Sequence, residues 1–309
     1  MGKISIYNVQ DTPIGRGSIG QVYPGTDPQG NKVAIKEILD RHVTEYLSDP
    51  HRSRHFHGCI HDGIHMLNQH PFIAKTYASF EERDRLYLVM EYIEGETVEQ
   101  YVKRRGAIPE SEAIHLILDI LSALNYAHSK GYLHRDIKPG NIMIRPDGSP
   151  CLLDFCIARY IADISRGISD SDISWITPGA VNYMSPEQAS GLNTDNRSDI
   201  YSLGCVLFYM LAGQHPIQKQ SDDYATRVSI IYNICNSDFP KVRDFNPNLS
   251  QHIQQILDRA TARDMTKRFR SCAEFETELS GVIHKQDETG WWKEVYQKLK
   301  QYINNIIKK

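Results

Sequence analysis

Residues His134 to Asn141 read H-R-D-I-K-P-G-N, and Asp154-Phe155-Cys156 begins thirteen positions further on. This spacing asks the fold to gather two carboxylates, a lysine and a carboxamide around one point. Phosphoryl transfer needs such a set: a group to orient an attacking hydroxyl, oxygen ligands for a divalent cation, and a positive charge on the moving phosphoryl group. With each residue type at about one in twenty, the five fixed positions of H-R-D-x-K-x-x-N recur by chance in roughly one chain of this length in ten thousand. A fold that satisfies this segment must bring a loop and a distant strand end together.

Composition sets the outer limits. The chain has 309 residues, 40% hydrophobic and 24% charged, enough for one large or two modest globular domains. A net charge of −3 supplies no global basic field, so nucleic acid is not an expected partner. Its apolar stretches fall short of the ~20 residues that span a bilayer. Met1-Gly2-Lys3-Ile4-Ser5-Ile6 has no apolar signal-peptide core, and Ile6 occupies the Ser/Thr slot of the myristoylation pattern. The six cysteines include no C-x-x-C pair, which favours reduced thiols and predicts a cytoplasmic protein.

Along the chain, residues 4–40 carry strand signals. Ile4-Ser5-Ile6-Tyr7 alternates, Gln21-Val22-Tyr23 follows a glycine turn, and Val33-Ala34-Ile35-Lys36 follows Gln29-Gly30-Asn31. Residues 54–69 are a candidate helix, weakened by Gly58 and Gly63 at about 1 kcal/mol each relative to alanine. Leu86 to Tyr92 reads as another strand, ending at a hinge, Glu94-Gly95. Pro109 with Glu110, Ser111 and Glu112 starts a helix whose apolar stripe runs from Ala113 to His128. Arg197 to Ala212 and Leu249 to Ala262 are further helices. The reading is a small strand-rich lobe over 7–93 and a larger helical lobe over 94–284.

Between the first strands lies Ile14-Gly15-Arg16-Gly17-Ser18-Ile19-Gly20-Gln21-Val22, a G-x-G-x-x-G segment. Glycines let backbone N–H groups approach phosphate oxygens without a Cβ clash. A dinucleotide-binding fold would place a helix directly afterwards. Here a turn and V-A-I-K follow, so the segment acts with Lys36, a lysine suited to α- and β-phosphates.

Taken in order, the glycine loop, Lys36, H-R-D-I-K-P-G-N, Asp154-Phe155, Ser185-Pro186-Glu187-Gln188, Asp199-Ile200-Tyr201-Ser202-Leu203-Gly204 and Arg268 resemble a eukaryotic-type (Hanks-type) serine/threonine protein kinase, from about Tyr7 to about Ile283. The S-P-E-Q form is similar to bacterial members. The resemblance implies an α+β bilobal kinase fold with an antiparallel-sheet N-lobe, and transfer of the ATP γ-phosphoryl group to Ser/Thr hydroxyls of protein substrates with Mg2+. It assigns Asp136 to the substrate hydroxyl, Lys138 to the γ-phosphate, Asn141 and Asp154 to magnesium, and Lys36 to the α/β-phosphates. Ile14, Gly15, Arg16, Gly17, Ser18 and Gly20 cover the phosphates. Val22, Ala34 and Met90 wall the adenine, and the backbone of Glu91 and Ile93 meets its edge. Asp199 braces the catalytic loop, and Glu187 with Arg268 forms a buried salt bridge.

The chain also departs from that pattern. Cys156 stands where the family has the glycine of D-F-G, and Ala180 where it has threonine after Gly179. The helix glutamate that pairs with Lys36 has no obvious counterpart; Asp62 is the only carboxylate near its slot. These changes keep a second reading open, a pseudokinase that binds ATP as a scaffold. A small-molecule kinase of related fold is a third, opposed by Ser185-Pro186-Glu187 and Arg268. Around that helix lie His42, His51, His55, His57, His61, His65 and His70. His57, His61 and His65 recur every fourth residue, which allows either an exposed polar face or, with Cys59, a zinc or copper site. The segment from Asp154 to Glu187 holds Ser165, Ser169, Ser171, Ser174 and Thr177, candidates for phosphorylation that would dock on Arg135. The tail 285–309 has six lysines and Trp292, Val295, Tyr296, Leu299, Tyr302, Ile303 and Ile306 at helical spacing. It is expected to dock on protein, with an anionic membrane surface as the alternative. Oligomeric state is not legible.

Overall fold

The computed structural model describes residues 2–17, 20–39, 66–82, 85–155, 181–217 and 224–286, with isolated positions between 49 and 63. Two bodies of secondary structure follow each other. The first is an antiparallel sheet of β1 (Gly2–Ile4), β2 (Tyr7–Val9), β3 (Gly15–Arg16), β4 (Gly20–Thr26), β5 (Lys32–Ile38), β6 (Thr76–Glu82) and β7 (Arg85–Glu91). Its order is β1-β2-β4-β5-β7-β6, with β3 also paired to β4. Described positions between 51 and 67 are helical, as the sequence suggested.

Register settles which side chains share a face. Val22 pairs with Lys36 and Lys36 with Leu88; Pro24 pairs with Ala34 and Ala34 with Met90. Strand side chains alternate with a period of two, so Val22, Pro24, Ala34, Lys36, Leu88 and Met90 lie on one face. The other face carries Val33, Ile35, Tyr87 and Val89, which form a core cluster with Val9. Tyr7, Phe80 and Tyr87 stack across it at centroid spacings of 5.9 and 5.5 Å.

The first strand differs from the sequence reading. Ile4 to Tyr7 is a hairpin corner rather than a strand: Ile4 pairs with Tyr7 across a Ser5-Ile6 turn, with Ser5 at φ 56°. The turn leaves Ile6 55% exposed, so the alternation there has no buried face to serve. The Ser5 amide is held by Glu82 instead.

The second body is helical. It contains α1 (Val98–Arg105), α2 (Glu110–Ser129), the single turn α3 (Pro186–Ala189), α4 (Asn196–Ala212), α5 (Tyr224–Asn236), α6 (Gln251–Ala260) and α7 (Cys272–Gln286). A three-stranded antiparallel sheet of β8 (Glu96–Thr97), β9 (Ile142–Ile144) and β10 (Pro150–Leu152) joins the two bodies. Thr97 caps α1 through a reciprocal bond with Gln100, and Asp195 caps α4. Every residue of α4 from Ser198 to Leu211 is buried, so the helix is enclosed on all sides, with Ser198, Asp199 and Ser202 the polar residues within it. Ile114, Ile117, Leu121 and Leu124 of α2, Ile253 and Leu257 of α6, and Phe275 and Leu279 of α7 share its core. The helix read over Leu249–Ala262 is shorter, because Ser250 serves as N-cap with its own amide and hydroxyl held by Glu110 at 2.8 and 2.7 Å. Among the described residues no helix is long and apolar enough to cross a membrane.

A polar cluster crosses this core. All five N–H donors of Arg268 are used: Nη1 and Nη2 donate to the Glu187 carboxylate at 2.8 Å each, and the rest reach the carbonyls of Ala262, Arg197 and Arg263 at 2.7, 3.0 and 3.1 Å. Ser198 donates its hydroxyl to the same carboxylate at 2.5 Å. The guanidinium also lies over the Tyr201 ring at 4.8 Å.

Candidate active site

The H-R-D-I-K-P-G-N loop is pinned from beneath by α4. Asp199 accepts the His134 amide at 2.9 Å and the Arg135 amide at 2.7 Å. His128, near the end of α2, adds its Nε2 at 2.7 Å. Burial alone would raise the Asp199 carboxyl, but His128 and His134 hold it below the usual carboxylate range. The pinned loop carries backbone strain, since Arg135 sits at φ 63° and Asp154 at φ 65°. Left-handed non-glycine residues cost on the order of 1–3 kcal/mol each, so their surroundings must hold them. Gln188 contributes by donating to the Arg135 carbonyl at 2.9 Å.

On this base the chemistry-bearing groups converge. Lys138 Nζ donates to Asp136 Oδ2 at 2.6 Å, and Asn141 Nδ2 donates to the same oxygen at 2.9 Å and to the Asp136 carbonyl at 2.8 Å. The Asn141 carbonyl accepts the Leu153 amide at 2.9 Å, fixing the loop against the residue before Asp154. His134 accepts the Asp136 amide on Nδ1 at 3.2 Å, so its Nε2 carries the proton donated to the Leu153 carbonyl at 2.8 Å. Phe155 closes edge-on against the His134 ring at 4.7 Å.

Lys36 reaches this cluster from the sheet. It is 5% exposed and donates to Asp154 Oδ2 at 2.8 Å. Burial would push the Asp154 carboxyl up, yet Lys36 first, and then Lys138, hold it below its ordinary value. Lys36, Asp136, Lys138, Asn141 and Asp154 therefore form one linked cluster. Val22, Ala34 and Met90 share the sheet face of Lys36; Glu91 is the last residue of β7, and Ile93 follows two residues beyond it. The Glu91 amide is occupied by the Lys75 carbonyl at 2.8 Å.

The glycine loop separates structural from open positions. A Cβ on Gly20 would stand 1.8 Å from the Glu37 carbonyl oxygen, so the close approach of β4 to β5 requires glycine there. A Cβ on Gly15 or Gly17 would meet nothing closer than 3.9 Å. The protein's own packing does not demand these two. Ile14 and Arg16 are exposed beside them, and Ser18 lies outside the described residues.

Several expectations fall outside the described residues: Asp62, Cys156, Ala180, the serines and threonine from Ser165 to Thr177, His42, His55, His57, His65, Cys59 and residues 287–309. Among the described residues the partner of Lys36 is Asp154, and no cluster of three His, Cys, Asp or Glu ligands occurs. His70 is a core histidine, its pKa pushed down to about 4 by burial. Two supports were not anticipated. His128 beneath Asp199 has no sequence signal beyond its place at the helix end. The Gln188 tether of Arg135 could have been sought in the S-P-E-Q segment itself. A cavity of about 560 Å3 elsewhere, lined by Pro186, Ile217, Phe239 and Arg263 among others, shares no residue with the cleft cluster.

Comparison with known proteins shows the family of the chain. The protein kinase domain family matches residues 8–279. The chain is 32% identical over 270 residues to a probable serine/threonine-protein kinase PknB of Lactococcus lactis, covering 86% of this chain and 40% of the relative. It is 33% identical over 272 residues to serine/threonine-protein kinase PrkC of Bacillus subtilis, covering 86% and 39%. It is 35% identical over 217 residues to serine/threonine-protein kinase PknB of Mycobacterium tuberculosis, covering 69% and 33%. The chain thus spans about two fifths of the length of the first two relatives and a third of the last.

Proposed function

Because this chain belongs to the protein kinase family, we propose that it transfers the γ-phosphoryl group of ATP to serine and threonine hydroxyls of protein substrates, itself included. The observation that carries the reading is the linked set Lys36–Asp154 and Lys138–Asp136–Asn141. A substrate hydroxyl presented to Asp136 gives up its proton as its oxygen bonds to the γ-phosphorus, and the bond to the β,γ-bridging oxygen breaks to release ADP. Lys138 neutralises charge on the moving group.

The family typically uses Mg2+, and the donor set here fits a hard cation. An Asp154 carboxylate kept ionised and the carboxamide oxygen of Asn141 are both oxygen ligands. The metal would draw charge from the phosphates. Lys36 would then exchange Asp154 for the α- and β-phosphates. Ile14, Gly15, Arg16, Gly17, Ser18 and Gly20 would cover them, with room at Gly15 and Gly17 for phosphate oxygens. Val22, Ala34 and Met90 would sandwich the adenine. With its amide occupied, Glu91 would serve the base through its carbonyl, and Ile93 through its amide.

The scaffold alternative draws no support from this site: degenerate modules usually lose a metal ligand or the catalytic aspartate, and here Lys36, Asp136, Asn141 and Asp154 are all present and engaged. A kinase domain over 7–284 working on cytoplasmic proteins accords with free Cys151, Cys205, Cys235 and Cys272 among the described residues. The deciding assay is radiolabelled ATP on a generic basic protein, with Asp136→Asn as control. Label transfer by the parent and a loss of about 10^2–10^4 in the variant support the reading; equal signals from both would refute it.

A further inference from the structure

Arg145 follows β9 directly and lies outside the Lys36–Asp154 and Lys138–Asp136–Asn141 cluster. Its amide donates to the Ser149 carbonyl at 2.9 Å, closing the β9–β10 hairpin. Its side chain, 21% exposed, folds back toward the crossing between the two bodies. Nη1 donates to the carbonyls of Pro71 and Pro150 at 3.3 Å each. Nη2 lies 3.2 Å from Cys151 Sγ and 3.5 Å from Glu91 Oε1.

Glu91 is held just as closely from its other side. Its second carboxylate oxygen accepts the Lys75 amide at 3.2 Å, and its own amide donates to the Lys75 carbonyl. Four residues on, Gly95 lies flush against β9. A Cβ there would stand 2.0 Å from the Ile144 carbonyl oxygen, and its φ of 138° is open only to glycine. One guanidinium therefore joins the loop before β6, the end of β7 and the strand that leads into Asp154. Most surface arginines leave their fork in water; this one is shared among carbonyls, a thiol and a carboxylate.

We propose that Arg145 is a positioning residue for the base of the nucleotide: it holds the Glu91 peptide in place, so that the Glu91 carbonyl accepts a 6-amino group and turns away a 6-oxo group. The proposal rests on the nucleotide reading above. Adenine presents a donor at its 6-position and an acceptor at N1. Hypoxanthine presents the reverse, an oxygen and an N–H. A fixed carbonyl facing that oxygen gains nothing and loses its water, whereas a loose one can turn aside. Discrimination therefore depends on how firmly the peptide is held.

The test is calorimetry with Mg-ADP and Mg-IDP, which share sugar, phosphates and metal. It compares the full chain with Arg145→Met, Arg145→Gln, Glu91→Gln and the Arg145→Met/Glu91→Gln double variant. Arg145→Gln keeps a donor for the Pro71 and Pro150 carbonyls, so a folding defect in the methionine variant does not decide the outcome. ADP affinity is expected to fall by about five-fold in each Arg145 variant, the scale of one partly exposed ion pair, with IDP affinity nearly unchanged. The double variant should be no worse than either single one. Equal weakening of both nucleotides, an unchanged ADP:IDP ratio, or additive losses in the double variant would overturn the proposal alone. A parent chain that binds neither nucleotide would overturn the nucleotide reading and this inference with it.

Discussion

Replacing Glu187 by alanine should cost far more than the loss of one ion pair at a surface. The Arg268 side chain is fully buried and its carboxylate partner is 4% exposed, so the variant leaves a guanidinium in the core with two donors unanswered. Removing one partner of a buried pair costs about 3–5 kcal/mol, mostly the desolvation of the charge left behind. In a chain of this size roughly 2 °C of Tm accompanies each kcal/mol, so the midpoint should drop by roughly 6–10 °C. The pH dependence has a definite sign. Burial acts to raise the Glu187 carboxyl, but Arg268 and Ser198 hold it below its ordinary value. Its stabilisation is present at neutral pH and fades as acid protonates it, so the deficit of Glu187→Ala should shrink below about pH 4. Differential scanning calorimetry of Glu187→Ala, Arg268→Met and the double variant at pH 7 and pH 3 measures all of this. The double variant, with no orphaned charge, should be more stable than Glu187→Ala. A double variant whose loss equals the sum of the single losses would refute the argument, because the cost would then lie in packing. Activity should fall as well, since α3 carries Gln188 and its tether to the Arg135 carbonyl.

Asp119 on α2 offers a stabilising substitution: burial and the Glu276 carboxylate push its pKa up to about 7. The folded chain therefore favours its protonated form, and stability declines as pH climbs from the ordinary carboxylate range toward 7; Asp119→Asn should add at most about 4 kcal/mol of stability at pH 8, seen as a higher Tm, and progressively less toward pH 4. Gly20→Ala should force β4 away from β5 and lower Tm, because its methyl meets the Glu37 carbonyl, whereas Gly15→Ala should leave Tm in place and raise KM for ATP. Lys36→Met removes the cation that opposes burial at Asp154, so the Asp154 carboxyl should rise and Mg-ADP binding, followed by calorimetry against pH, should fail at a higher pH than in the parent.

Local chemistry made much of this molecule readable in advance. The pattern H-R-D-I-K-P-G-N with Asp154 located the cluster because its members must be near each other for any phosphoryl chemistry, and V-A-I-K after the glycine loop singled out Lys36, whose face of the sheet only the strand register supplied. Asp199 and the Glu187–Arg268 pair followed from resemblance alone; nothing in their spacing predicts that one carboxylate will cap two amides of a loop sixty-odd residues away. The Ile4–Tyr7 corner was misread because alternation is a period without a direction, and a serine gives no sign that it will take the left-handed conformation seen at Ser5. His128 and Arg145 were invisible for a different reason. Each acts on backbone or side-chain atoms that only tertiary folding brings near, and neither sits in a repeating pattern.

The pairing of β5 between β4 and β7 bears on which changes in chain length this protein can survive. Losing or gaining one residue inside β5 would turn Lys36 to the aromatic side of the sheet and bring Ile35 or Glu37 into the cleft, a total reversal from a single codon. The Asp27–Asn31 turn is free of that constraint, being exposed and closed by its own hydrogen bonds. Length variation among natural or engineered versions should therefore gather in that turn and be absent from the strand that follows it.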